Sequence, residues 1–122
     1  MSEISLILDE EKVAAGDRLS GKLSYATQTP PKEAKVELRW RTEGRGTRDT
    51  EVVDTCLLDP QQLTIGIPLP FLVTTPADGP ITYNGSLFRV IWEIKATVVF
   101  PGMLARKEED TQLVDVVCRQ SR

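Results

Sequence analysis

The stretch Phe88-Arg89-Val90-Ile91-Trp92-Glu93-Ile94-Lys95-Ala96-Thr97-Val98-Val99-Phe100 decides the fold. Phe88, Val90, Trp92, Ile94, Ala96 and Val98 face one way, against Arg89, Glu93, Lys95 and Thr97 on the other. Successive side chains of an extended chain point to opposite faces of a sheet, so an apolar residue at every second position marks a strand with one buried face. A run of this length belongs at the centre of its sheet.

The same alternation recurs on both sides of it. Ile4, Leu6 and Leu8 form a first strand that stops at the acidic group Asp9, Glu10, Glu11. A turn at Gly16-Asp17 leads into a second, in which Leu19, Gly21, Leu23 and Tyr25 share a face. Beyond Pro30-Pro31, which cannot donate ladder hydrogen bonds, Val36, Leu38 and Trp40 alternate with Glu37, Arg39 and Arg41. The charged, glycine-containing segment from Glu43 to Asp49 reads as a hairpin loop into a fourth strand, Thr50 to Leu58. Leu63, Ile65 and Ile67 read as a fifth strand, ended by Pro68 and Pro70. After Pro101-Gly102, the charged stretch Arg106 to Asp110 gives way to a last strand around Leu113, Val114, Val116 and Val117. Helical patterning is confined to a short turn-like cluster, Glu33 to Val36.

Seven strands with turn signals between them predict an all-β chain, an immunoglobulin-like antiparallel β-sandwich, because each sheet needs a second layer over its apolar face. At 122 residues the chain is read as one domain, 1–122. Its 40% hydrophobic and 27% charged residues suit a folded protein and argue against disorder.

Between Ile65 and Ala96 the order of residues resembles the arrestin-like family. A proline-broken strand Ile67-Pro68-Leu69-Pro70-Phe71 is followed by Pro80-Ile81-Thr82-Tyr83-Asn84-Gly85 and then by the long strand from Phe88. Upstream, Ala15-Gly16-Asp17-Arg18-Leu19-Ser20-Gly21-Lys22-Leu23 is similar to the family's glycine-acidic turn and its strand with a second glycine five residues on. The resemblance covers about Gly16 to Val117 and implies the arrestin-type sandwich and a role in protein recognition. Arrestins carry two such domains in tandem, whereas this length accommodates one. The family's interdomain polar core and phosphate-sensing basic residues have no match at positions of this sequence.

Function classes are narrowed by composition. The net charge of −3 offers no basic excess for a run of phosphates, so nucleic acid is not an expected partner. No run approaches the roughly 20 apolar residues of a membrane-spanning helix. The opening Met1-Ser2-Glu3-Ile4 lacks the features of a signal peptide, and a cytoplasmic protein is expected. Cys56 and Cys118 are then read as two reduced thiols, each buried in an apolar strand.

The sequence has no histidine, the side chain most used for acid-base work near neutral pH and the commonest metal ligand. Asp9, Glu10, Glu11 and Glu108, Glu109, Asp110 match no calcium-loop spacing and read as solvated turns. No serine or threonine has a base at a recognisable spacing. The expectation is no catalytic residue, no cofactor and no enzyme.

Binding readings remain. Five cations from Lys35 to Asp49 outnumber the three acids of the same segment by two, and the opening to Asp17 carries one cation against five acids. Mixed charge of this kind serves solubility more often than steering. Trp40 and Trp92 fall on apolar faces and are expected to pack between the sheets. Tyr83, beside the turn pair Asn84-Gly85, is expected to bury its ring at the core edge, as in the tyrosine corner of related sandwiches.

The segment Phe100-Pro101-Gly102-Met103-Leu104 puts large apolar side chains where a turn calls for polar ones. Phe100, Met103 and Leu104 are therefore the candidate partner-binding residues, with capping of the core against Phe71 and Leu72 as the competing role. The expected function is non-catalytic protein-protein recognition, as an adaptor or a subunit of a larger assembly. Another protein is the expected partner, in a homodimer or hetero-complex. The alternative is a carbohydrate-binding β-sandwich module, which would set aromatic rings on an open sheet face.

Overall fold

The computed structural model describes residues 4–25, 31–44, 49–62, 67–85, 87–102 and 106–118. Within them run nine strands: β1 (Ile4–Leu8), β2 (Lys12–Ala14), β3 (Arg18–Tyr25), β4 (Glu33–Gly44), β5 (Thr50–Leu58), β6 (Leu69–Thr74), β7 (Tyr83–Asn84), β8 (Phe88–Phe100) and β9 (Arg106–Val117), with one turn of 3₁₀ helix at Pro60–Gln62. They form a small sheet in the order β1-β3-β6 and a large one in the order β2-β9-β8-β4-β5, with β7 beside β8. Neighbouring strands are antiparallel except β2, which runs parallel to β9.

The long alternating run takes the expected central place, flanked by β4 and β9. Trp92, Ile94, Ala96 and Val98 are fully buried on its inner face, opposite Leu19, Leu23, Phe71 and Val73 of the small sheet, and all belong to one core cluster. Trp92 donates its indole N–H to Pro80 O at 3.0 Å, which satisfies the one polar atom its burial would otherwise strand. Trp40 is half-buried and packs against the same cluster. At the turn between β2 and β3, Asp17 N–H bonds Ala14 O at 3.0 Å, and Gly16 has a φ of 91°, which favours glycine.

Several sequence expectations are corrected. Glu33 to Val36 is no turn but the start of β4, with Ala34 and Val36 facing the core. The fifth strand, read at Leu63 to Ile67, falls largely on residues outside the described ones. The strand that pairs with β3 in that region is β6, and it continues through Pro70. The proline is tolerated because β6 is an edge. Thr74 N–H, on the side of the strand away from β3, bonds a side chain of β5. Pro70, four residues earlier, has the same orientation, so its missing N–H falls on that open edge and breaks no ladder bond.

The charged stretch from Arg106 is also strand. Glu108, Asp110 and Gln112 lie opposite Val98, Ala96 and Ile94 of β8, on the side of the sheet that faces the core. Their polarity has a use, because β1 crosses there: Leu6 N–H donates to Asp110 Oδ2 at 2.7 Å, and Gln112 Nε2 donates to Leu6 O at 2.6 Å. Inward-pointing polar side chains here take up the backbone groups of a strand edge.

Candidate functional site

β8 keeps β9 as its neighbour from Phe100 back to Trp92, opposite Val114. Beyond that point the two strands part. Val90 and Arg89 pair instead with Tyr83 and Asn84 of β7, while β9 goes on to pair with β2 through Asp115, Val116 and Val117. Thr82 holds the fork open: its N–H donates to Val116 O and its Oγ1 accepts from Val116 N–H, each at 2.8 Å. The result is an open groove of about 620 Å³, lined among others by Lys12, Tyr83, Arg89, Ile91, Leu113 and Asp115.

Apolar surface gathers around this fork and the β7–β8 hairpin. Leu87 is 78% exposed, Leu113 63%, and Tyr83 and Phe88 49% each. The hairpin is closed by Gly85 N–H donating to Phe88 O at 3.0 Å. The Tyr83 ring folds over Gly85, where a methyl group would lie 2.4–2.6 Å from ring carbons and the hydroxyl oxygen, and meets the Phe88 ring at a centroid distance of 5.0 Å. Gly85 thus leaves room for the ring above it, and a side chain here would displace that exposed ring. Tyr83 forms no tyrosine corner, since its ring lies on the surface. Phe88, expected among the inward residues, has the right parity but sits past the end of the core, opposite Gly44 of β4.

The outer face of the large sheet beside the hairpin is ionic. Glu93 is only 2% exposed although it points away from the core. Two arginines of β4 cover it: Arg39 Nε donates to Oε1 and Arg41 Nη1 to Oε2, both at 2.5 Å. Arg41 also bonds Glu43 at 3.2 Å, and Glu43 accepts from Arg89 at 2.9 Å. Burial alone would lower the pKa of Arg41, but its bonds to Glu93 and Glu43 outweigh this and hold it above the usual guanidinium value. Arg39 and Arg41, counted in the sequence with the mixed charge that serves solubility, are here tied down by carboxylates.

Of the sequence-predicted contact residues, Phe100 is among the described ones. Phe100 is 1% exposed, part of the core cluster, with the Arg106 guanidinium 4.7 Å from its ring centroid. It offers a partner no surface, as the competing core role implies. The physical reason is the register: Phe100 continues the inward row of Ala96 and Val98 and is still covered by the second layer. Met103 and Leu104 lie outside the described residues. Cys118 is exposed rather than buried, Cys56 is half-buried on β5, and neither is bridged.

The residues that sequence reasoning missed are Leu87 and Leu113. Leu113 was read with the buried valines, yet it lies opposite Glu93, on the outer face. Its parity, shared with Glu109 and Asp115, was the signal available for it.

No protein-family model matches the chain, and no curated protein matches it. Among solved structures, the crystal structure of Spo0M, a sporulation control protein from Bacillus subtilis, superposes over 97% of this chain with a TM-score of 0.72 at 16% sequence identity. The fold is arrestin-like. The chain spans 50% of the length of Spo0M. At this identity the likeness concerns the arrestin-like architecture alone. No helix of the described residues is long and apolar enough to cross a membrane.

Proposed function

We propose that this chain is a non-catalytic protein-recognition domain, acting as an adaptor or assembly subunit, and that its partner docks at the β7–β8 end of the sandwich. The observation that carries the reading is the cluster of exposed Tyr83, Leu87 and Phe88 at the hairpin, continued toward Leu113 along the fork. Apolar side chains gathered on the surface lose free energy to water and regain it against a partner, and aromatic anchors commonly carry much of an interface's energy. The charged rim of Lys12, Arg89 and Asp115 gives such a contact polar edges. Met103 and Leu104 remain a second proposed contact at the other end of β8, without Phe100. A cytoplasmic setting agrees with an exposed, unbridged Cys118.

The test is a paired capture from native lysate with the wild-type chain and with Leu87→Ser/Phe88→Ser. A protein that co-purifies in stoichiometric amount with the first should be lost from the second, while the melting temperature changes little because both side chains are exposed. Retention of the same protein by the variant sinks the docking site. A sugar-dependent change in intrinsic fluorescence sinks the protein-partner reading in favour of the carbohydrate module.

A further inference from the structure

Among the described residues the two sheets share no backbone ladder, and the small sheet has two edges, β1 and β6. Each edge is closed by side chains of the large sheet, but by unequal means. On one side Leu6 of β1 is held at both N–H and C=O, by Asp110 and Gln112, in a partly buried setting. Ile4 and Leu6 of β1 are buried, as are Val114 and Val116 of β9.

On the other side, among the described residues, one carboxylate does the closing. Asp54 Oδ2 accepts from Thr74 N–H of β6 at 2.7 Å, and its Oδ1 accepts from Thr55 N–H of β5 at 2.9 Å, both in exposed settings. Asp54 ends the regular part of the β4–β5 ladder: Leu38 lies opposite Asp54 and Arg39 opposite Val52, so β5 carries Val53 as an extra residue just beyond it. Asp54, Cys56 and Leu58 then lie opposite the buried Leu38, Val36 and Ala34, on the side of β5 that faces the small sheet. Cys56 and Leu58 on β5 and Leu69 on β6 are only half-buried against the core.

We infer that Asp54 is a latch on an opening seam: β6 parts from β5 locally, without unfolding of either sheet, and the Asp54 carboxylate sets how often. Local openings concentrate where few buried apolar contacts and solvent-exposed hydrogen bonds coincide. At the β5–β6 seam the closing bonds are exposed and Cys56, Leu58 and Leu69 beside them are only half-buried, whereas the bonds that close the β1–β9 seam are part-buried. Parting of β5 from β6 uncovers the Cys56 thiol, which makes the motion measurable.

The experiment is the labelling rate of Cys56 by a small neutral thiol reagent, in the full chain with Cys118→Ser. Asp54→Ala should raise the rate at least about tenfold, corresponding to an opening made easier by about 1.4 kcal/mol, within the range for loss of a charge-assisted hydrogen bond. Asp110→Ala, which loosens the opposite seam, should leave it within about twofold of the parent. The rate should also vary little with urea well below the unfolding midpoint, because local opening exposes little surface. An unchanged rate in Asp54→Ala, an equal rise in Asp110→Ala, or a steep dependence on urea overturns the latch.

Discussion

Gly21 lies opposite Phe71 across the β3–β6 ladder, and a methyl group on it would sit 2.5 Å from Ile7 O and 2.7 Å from the Phe71 ring. The ring occupies the space a side chain would take, so the second glycine of the Gly16–Gly21 motif is there for packing. Gly21→Ala should destabilise the protein by about 1–3 kcal/mol, the cost of overpacking a close-packed interior. A urea melt should show a lower midpoint with an unchanged slope, and an unchanged midpoint would refute the packing argument. Single residues were legible in the sequence where parity alone decides, as for Trp92, Ile94 and Leu38. Parity says which way a side chain points, and it leaves open how far the covering sheet extends. Phe88 and Phe100 therefore read alike, although the first lies beyond the core and the second beneath it.

At the level of whole strands, those that alternate cleanly were legible, and those whose inward face is polar were not. β9 carries Glu108, Asp110 and Gln112 on that face because β1 ends the small sheet there. β2, with three residues and one apolar core contact at Val13, is too short for a period to show. β6 was obscured by Pro70, whose harmlessness depends on which edge its nitrogen faces. The outer face of β9 carries a cross-strand ion pair in which Lys95 of β8 bonds Glu109. The hydrogen bond from Lys95 holds the Glu109 carboxyl below its usual value of 4.5, with the small desolvation acting the other way. A depressed folded-state pKa contributes stability above the unfolded value and loses it as pH falls through the folded one. Glu109→Gln should thus flatten the stability profile below about pH 4.5 and leave its shape near neutrality intact. The effect should be small, since exposed pairs contribute at most about 1 kcal/mol. Chemical denaturation of both proteins across this range checks it, and parallel acid limbs would show that the pair contributes nothing.

For the molecule as a whole, the sandwich was legible because its layers follow from the repeated burial of one strand face. The binding surface was not, because it arises where β8 and β9 diverge, and that fork depends on Thr82 bonding Val116, far away in sequence. Leu113 and Tyr83 meet only through that topology. The apolar cluster lies at one end of the sandwich. A surface that is incompletely covered in one copy is a surface on which a second copy can sit, in a self-complementary contact about a two-fold axis. The rim supplies both signs of charge for such a contact, Lys12 and Arg89 against Glu11 and Asp115. If the homodimer forms this way, the mass from light scattering should rise with concentration toward twice the monomer, and Leu87→Ser/Phe88→Ser should hold it at the monomer throughout. A strictly monomeric wild-type chain across the same range removes the homodimer and leaves the hetero-complex. A dimer that persists in the variant moves the self-contact away from the hairpin, and the exposed edge of β5, with Val52 and Leu57 on its outer face, becomes the next surface to mutate.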